Sequence, residues 1–146
     1  MFKITIQQVD LKEEEEVIIR CHEINDDVTS LVERLKPTEQ ILLGSRDNEV
    51  FRIPIKDIYY IESVDNKTFI YLQKSVFDCK LKLYEIEAMI SGSKLFRCSK
   101  SMIINLAKIR SVSPSVNGRF EAKLLNGEVA VISRQYVSVL KRKLGM

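Results

Sequence analysis

Tryptophan is absent from this 146-residue sequence, histidine occurs once and glycine only five times. Each scarcity closes a class of chemistry. His22 is the lone imidazole, and nothing beside it supplies a nucleophile or three further metal ligands, so it reads as a structural or surface residue. Five glycines build neither a Gly-x-Gly-x-x-Gly fingerprint nor a Gly-Lys-Ser/Thr phosphate loop. The three cysteines, Cys21, Cys79 and Cys98, are widely spaced without a Cys-x-x-Cys pair, which fits reduced thiols better than a disulfide frame or a zinc site. No apolar run approaches the roughly 18 residues that cross a bilayer, and Met1 to Ile6 alternates where a leader would be continuously apolar, so a cytoplasmic protein is expected. Glu85 and Glu87, two apart on an expected helix, point in different directions and make a poor acid/base pair. No cofactor, no metal and no catalysis are expected.

What is present is an uneven distribution of charge. The formal net charge is only +3, yet residues 1–50 hold six basic against twelve acidic side chains, and residues 94–146 hold eleven basic groups against Glu121 and Glu128 alone. A polyanion would be drawn to that last third, although a basic face kept for solubility looks the same on charge alone.

The organisation follows the same division. Phe2, Ile4 and Ile6 alternate as a half-buried strand does, Glu13 to Glu16 suits an exposed loop, and Val17 to Cys21 reads as a second strand. A helix capped by Asn25 or Asp26 should follow, with Val28, Leu31, Val32 and Leu35 at helical spacing before Pro37. We therefore expect a small acidic β-β-α unit over residues 1–40, suited to oligomerisation or regulation, and a second domain over 41–146. In the second domain, Ile41 to Leu43, Val50 to Ile53, Ile55 to Val64, Thr68 to Leu72 and Val76 to Leu81 read as strands of an antiparallel meander. A helix holding Leu83, Ile86 and Ile90 interrupts them, with Gly92 beyond its end. Strands at Phe96 to Ser99 and Ile109 to Ser113 should flank an irregular connection. Asn117-Gly118 marks a tight turn, Asn126-Gly127 a hairpin between 120–125 and 128–132, and a helix from Ser133 closes the chain.

Several pieces of this domain stand in a familiar order. They are Ile58-Tyr59-Tyr60-Ile61-Glu62-Ser63 with Asn66 and Lys67, Leu83-Tyr84-Glu85-Ile86-Glu87, Phe96-Arg97-Cys98-Ser99-Lys100-Ser101, Ile103-Ile104-Asn105-Leu106, Leu124-Leu125-Asn126-Gly127 and Ser133-Arg134-Gln135-Tyr136. Together they resemble the LytTR DNA-binding domain over roughly residues 41–146. The resemblance implies a mainly β fold of elongated, layered antiparallel sheets with few short helices. It also implies bacterial origin, binding to double-stranded DNA at paired repeat sites, and control of transcription. Stand-alone relatives are sometimes restrained by a membrane-bound partner. The forty residues before the domain are too few for a receiver's α/β sheet, so no phosphorelay input within the chain is expected.

The residues themselves nominate contacts. A strand from Phe96 would turn Lys100 inward unless it has ended, so Lys100 and Ser101, with Ser99, are expected on an exposed loop that reaches phosphates or base edges. The resemblance takes this loop into a DNA groove. Ser133 suits a helix N-cap, and Arg134 in the first turn opposes the helix dipole, so an external anion or base explains it, with Gln135 beside it. The family resemblance makes Arg134 a major-groove reader. Asn66 and Lys67 are a third contact or a plain turn. Arg97 and Arg110 are expected to position the phosphate backbone or to pair with acids. Cys98, beside Arg97 and Lys100, is either a packed inert thiol or an oxidant-sensitive one. A second reading makes the domain an adaptor whose basic face meets an acidic protein. RNA binding is weaker, because the aromatics sit in core strands and form no stacking platform.

Overall fold

The computed structural model describes residues 2–35, 40–90 and 92–146, and the chain divides into two units, 1–38 and 39–146. The expected boundary near residues 37–40 and the terminating Pro37 fall largely outside the described residues.

In the first unit the helix forms and the expected strands do not. Helix α1 spans Asp26–Leu35, and Asn25 caps it by accepting the Val28 amide on Oδ1 at 3.1 Å. Residues 2–25 contain no strand, and Ile4, Ile6, Leu11, Val17 and Ile18 are all exposed. The alternation is real, but a strand exists only where a neighbour completes its ladder, and residues 2–6 and 17–21 do not pair. The β-β-α expectation is therefore corrected to a helix preceded by unpaired chain.

The second unit is mainly β, as expected, with two antiparallel sheets and two short helices. Its strands are β1 (Ile41–Arg46), β2 (Glu49–Pro54), β3 (Tyr60–Val64), β4 (Lys67–Tyr71), β5 (Val76–Cys79), β6 (Leu95–Arg97), β7 (Met102–Asn105), β8 (Ile109–Pro114), β9 (Phe120–Leu124) and β10 (Val129–Ile132). Its helices are α2 (Leu83–Met89) and α3 (Arg134–Lys143). A seven-stranded sheet runs β2-β1-β5-β4-β3-β7-β6, and a three-stranded one runs β10-β9-β8. Two hairpins turn on residue pairs with positive φ, Asp47-Asn48 and Asp65-Asn66. Asp and Asn tolerate that region, which a two-residue hairpin of this twist requires.

Two expectations on strand extent need correction. Ile55 to Val64 is not one strand: after Pro54 a 3-10 turn occupies Ile55–Asp57 before β3 begins. The connection expected to be irregular contains β7, which pairs with both β3 and β6. Asn105 ends that strand 1% exposed. Its side chain donates to the Ile58 carbonyl at 2.7 Å and accepts the Ala107 amide at 2.9 Å. A buried amide satisfied on both ends ties the strand end to the 3-10 turns and is costly to replace.

The large sheet is covered on both faces. Ile61, Ile70, Ile103, Leu95 and Phe77 pack with Leu83, Ile86 and Ile90 around α2, whereas Phe96 and Ile104 pack with Phe120, Ala122, Leu124, Ile132 and Leu140 of the small sheet and α3. Neighbours Ile103 and Ile104 thus enter different cores, as the two-residue period of a strand dictates. This is why the central strands read as continuous apolar runs.

Candidate nucleic-acid interface

Strand pairing brings the nominated segments to one end of the large sheet. Val64 pairs with Lys67 across the Asp65-Asn66 turn, and Glu62 pairs with Met102, so the turn at 65–66 and the loop at 98–101 leave the sheet on the same side. Two backbone bonds then fasten the segments together. The Ser63 amide donates to the Ser101 carbonyl at 2.8 Å, and the Ser133 amide donates to the Cys98 carbonyl at 2.8 Å. The second bond seats the start of α3 against the loop.

At this end Asn66, Lys67, Lys100, Ser101, Arg134 and Gln135 are exposed, and Ser99 and Ser133 are half-buried. Strand β6 has ended before Lys100, as the alternation argument requires. Among the described residues neither Lys100 nor Arg134 has an ion pair or side-chain hydrogen bond, so both cations are available to an outside anion. Ser133 occupies the N-cap position of α3, but its hydroxyl makes no cap bond. Helix α3 has no acid in its first turn. Arg134 lies along the Asn117-Gly118 turn, where Gly118 has φ +75° and a Cβ would stand 2.8 Å from Arg134 Cδ. Glycine lets the arginine stem lie against the backbone there.

Arg110 is not part of this group. It sits at an irregularity of edge strand β8, between Ile109 opposite Leu124 and Ser111 opposite Lys123, while Pro114 lies opposite Phe120. Because Phe120 faces Ile132, just before α3, Arg110 stands about 14 Å away along the sheet at roughly 3.4 Å per residue. Arg97 is near the group but turned inward, 17% exposed and within 3.8 Å of Glu87.

Several residues of this end escaped the sequence reading. Lys82 donates from Nζ to the Asn66 carbonyl at 2.9 Å. With Lys67, Lys80 and Asp78 it borders a groove of about 340 Å³ beside the turn. Arg119 follows the turn that meets Arg134. The signal was there in Lys80-Leu81-Lys82, basic residues alternating about an apolar one, but only register shows that it adjoins Asn66. Glu85 and Glu87 do face apart: Glu85 accepts the Lys82 amide at 3.0 Å, whereas Glu87 faces Arg97.

The electrostatics differ at the opposite end of the sheet, where β3 begins and β4 ends. Tyr60 and Tyr71 stack at 4.4 Å, and Tyr60 is pushed up to about 12 by burial first, then by Glu128, Tyr71 and Glu62. That corner repels a polyanion. Cys98 is fully buried, and its thiol is also pushed up to about 12, by burial, with Arg97 lowering it only in part. Such a thiol holds its proton, which is the packed, inert alternative.

Comparison with known proteins places this geometry. The family model of the LytTr DNA-binding domain matches residues 48–145, and the chain belongs to that family. Over 98 residues it is 30% identical to the transcriptional regulatory protein YpdB of Escherichia coli, covering 66% of this chain and 40% of that protein. It is 26% identical over 110 residues to the sensory transduction protein LytT of Enterococcus faecalis, covering 75% and 46%. The chain thus spans less than half the length of the curated relatives it matches. The LytTr DNA-binding domain of a methyl-accepting/DNA response regulator from Bacillus cereus has the same fold, with a TM-score of 0.69 at 24% identity over 75% of this chain and all of that one. The family is defined by DNA binding and not by catalysis. No helix among the described residues is long and apolar enough to cross a membrane.

Proposed function

We propose that this protein is a cytoplasmic transcription regulator that reads double-stranded DNA with the segments at 65–67, 98–101 and 133–135. The observation that carries the reading is their convergence at one end of the sheet, with Lys100 and Arg134 unpaired there. Arg134 reads a base, because a planar fork takes two acceptors of a guanine at once, and Gln135 supports it. Lys100 supplies charge, and Ser99, Ser101 and Ser133 supply hydroxyls, to phosphates or base edges. Asn66 and Lys67 reach the adjoining backbone. Arg110, at the far end of β8, meets phosphate outside the central contact if the duplex extends that far. The target is a pair of repeats read by a homodimer. The strand-patterned, exposed side chains of residues 2–24 support a self-association role for the acidic unit. Restraint by a membrane-bound partner rests on the family resemblance.

The test is a salt titration on preferred and scrambled duplexes. Arg134→Ala should cost about 1 to 3 kcal/mol on the preferred sequence and much less on the scrambled one, with the melting temperature unchanged. A folded Arg134→Ala protein that discriminates as well as the wild type would move the reading residue elsewhere. A wild-type protein that binds duplex no better than an acidic control at low salt would end the DNA reading in favour of the adaptor.

A further inference from the structure

The loop carrying Lys100 is weakly tied by its own atoms. The Ser99 amide reaches the Met102 carbonyl at 3.4 Å, and the Ser101 amide reaches Ser99 Oγ at 3.3 Å, both long for hydrogen bonds. The two ends of the loop are held from outside, Cys98 by the Ser133 amide and Ser101 by the Ser63 amide, and the bonds to the two residues between them come from Arg97. Its Nε donates to the Ser99 carbonyl at 2.6 Å and its Nη2 to the Lys100 carbonyl at 2.6 Å, while Nη1 lies 3.8 Å from Glu87 Oε1 on α2. The guanidinium therefore joins two consecutive loop carbonyls to a helix on the buried side of the sheet. Its fork is rigid and planar, so two donors at fixed separation set the direction of both peptide planes. The Nε–Nη2 edge is thus engaged by the loop, the Nη1 end faces Glu87, and the side chain is only 17% exposed, which turns the guanidinium away from an outside phosphate.

We propose that Arg97 is a positioning residue for DNA recognition: it fixes the backbone of Ser99 and Lys100 and so aims the Lys100 side chain, without touching DNA itself. The proposal rests on the DNA-binding reading of this loop. It separates geometry from charge, because lysine keeps the charge and loses the fork. A phosphate contact would tolerate Arg97→Lys, whereas a two-carbonyl clamp does not.

The experiment measures duplex affinity against salt for the full-length wild type, Arg97→Lys, Arg97→Gln, Lys100→Ala and the Arg97→Gln/Lys100→Ala double variant. Amide hydrogen exchange at Ser99 to Ser101 is followed without DNA. Arg97→Lys and Arg97→Gln should weaken the preferred duplex alike, by about tenfold, within the range of coupled network residues. The double variant should bind no more weakly than Lys100→Ala, since the clamp acts through that side chain, and the loop amides should exchange faster in both Arg97 variants. Three results would overturn the proposal. One is Arg97→Lys binding as the wild type does while Arg97→Gln lowers the salt slope by about one unit, additively with Lys100→Ala, which marks an ordinary phosphate contact. Another is unchanged loop exchange in both Arg97 variants. The last is a wild type that binds no duplex, in which case the DNA reading falls and the clamp has no recognition to serve, whatever the exchange shows.

Discussion

Phe2, Ile4 and Ile6 repeat the alternation of Phe120, Ala122 and Leu124, yet Ile4 is 87% exposed and Leu124 is 1% exposed. The two stretches carry the same pattern and have opposite fates. Residues 120–124 have β8 on one side and β10 on the other, whereas residues 2–6 have no ladder. Alternation specifies that a segment has an apolar face, and the neighbouring strand decides whether that face is buried.

The sharpest contrast between the units lies in their thiols. Iodoacetamide at mildly alkaline pH should modify exposed Cys21 far faster than buried Cys98, since burial both shields the Cys98 sulfur from the reagent and holds its proton on. Mass spectrometry of time points reads both sites, and comparable rates in folded protein would mean that the 98–101 loop opens readily. The same contrast should appear in stability. Ile61→Ala, at a fully buried site, should lower the unfolding free energy by about 2 to 5 kcal/mol, and Ile4→Ala should change it by no more than about 0.5 kcal/mol. Urea titration measures both, and a large loss at Ile4 would break the comparison by showing that residues 2–6 are covered in solution.

The smallest effect is alkaline. Tyr60 has a folded pKa raised from 10.0 to about 12. The folded state therefore holds a proton that the unfolded state releases first, and this contribution is complete below pH 10 and lost as pH rises towards 12. Tyr60→Phe should flatten the fall of melting temperature over that window, and an unchanged slope would assign the fall to other groups.

Much of the second unit was legible because its strands are short, bounded by Asp, Asn and Gly turns, and interrupted by one helix with clear spacing. Strand β7 was hidden because Lys100-Ser101 before it and Asn105 at its end look like loop chemistry. Asn105 is a core residue only because the Ile58 carbonyl and the Ala107 amide meet it. The exposure of Lys100 and Arg134 was legible from local arguments, an ended strand and an opposed helix dipole. The roles of Lys82 and Glu87 were not legible, since each depends on a contact that strand register alone creates. For Arg97 the expected pairing with an acid is met by Glu87, but its two bonds to loop carbonyls were not legible, because a charge count does not reveal that a guanidinium is already engaged.

Arg97 grips carbonyl oxygens, and every amino acid has one. The two bonds from Arg97 are therefore blind to which side chain stands at 100, whereas at 99 the serine hydroxyl also accepts the Ser101 amide. Substitution of Lys100 changes the side chain that the loop presents to solvent while the same two bonds, with those from Ser63 and Ser133, hold its path. A lineage of such proteins, or a designer, can thus exchange Lys100 without renegotiating the architecture beneath it.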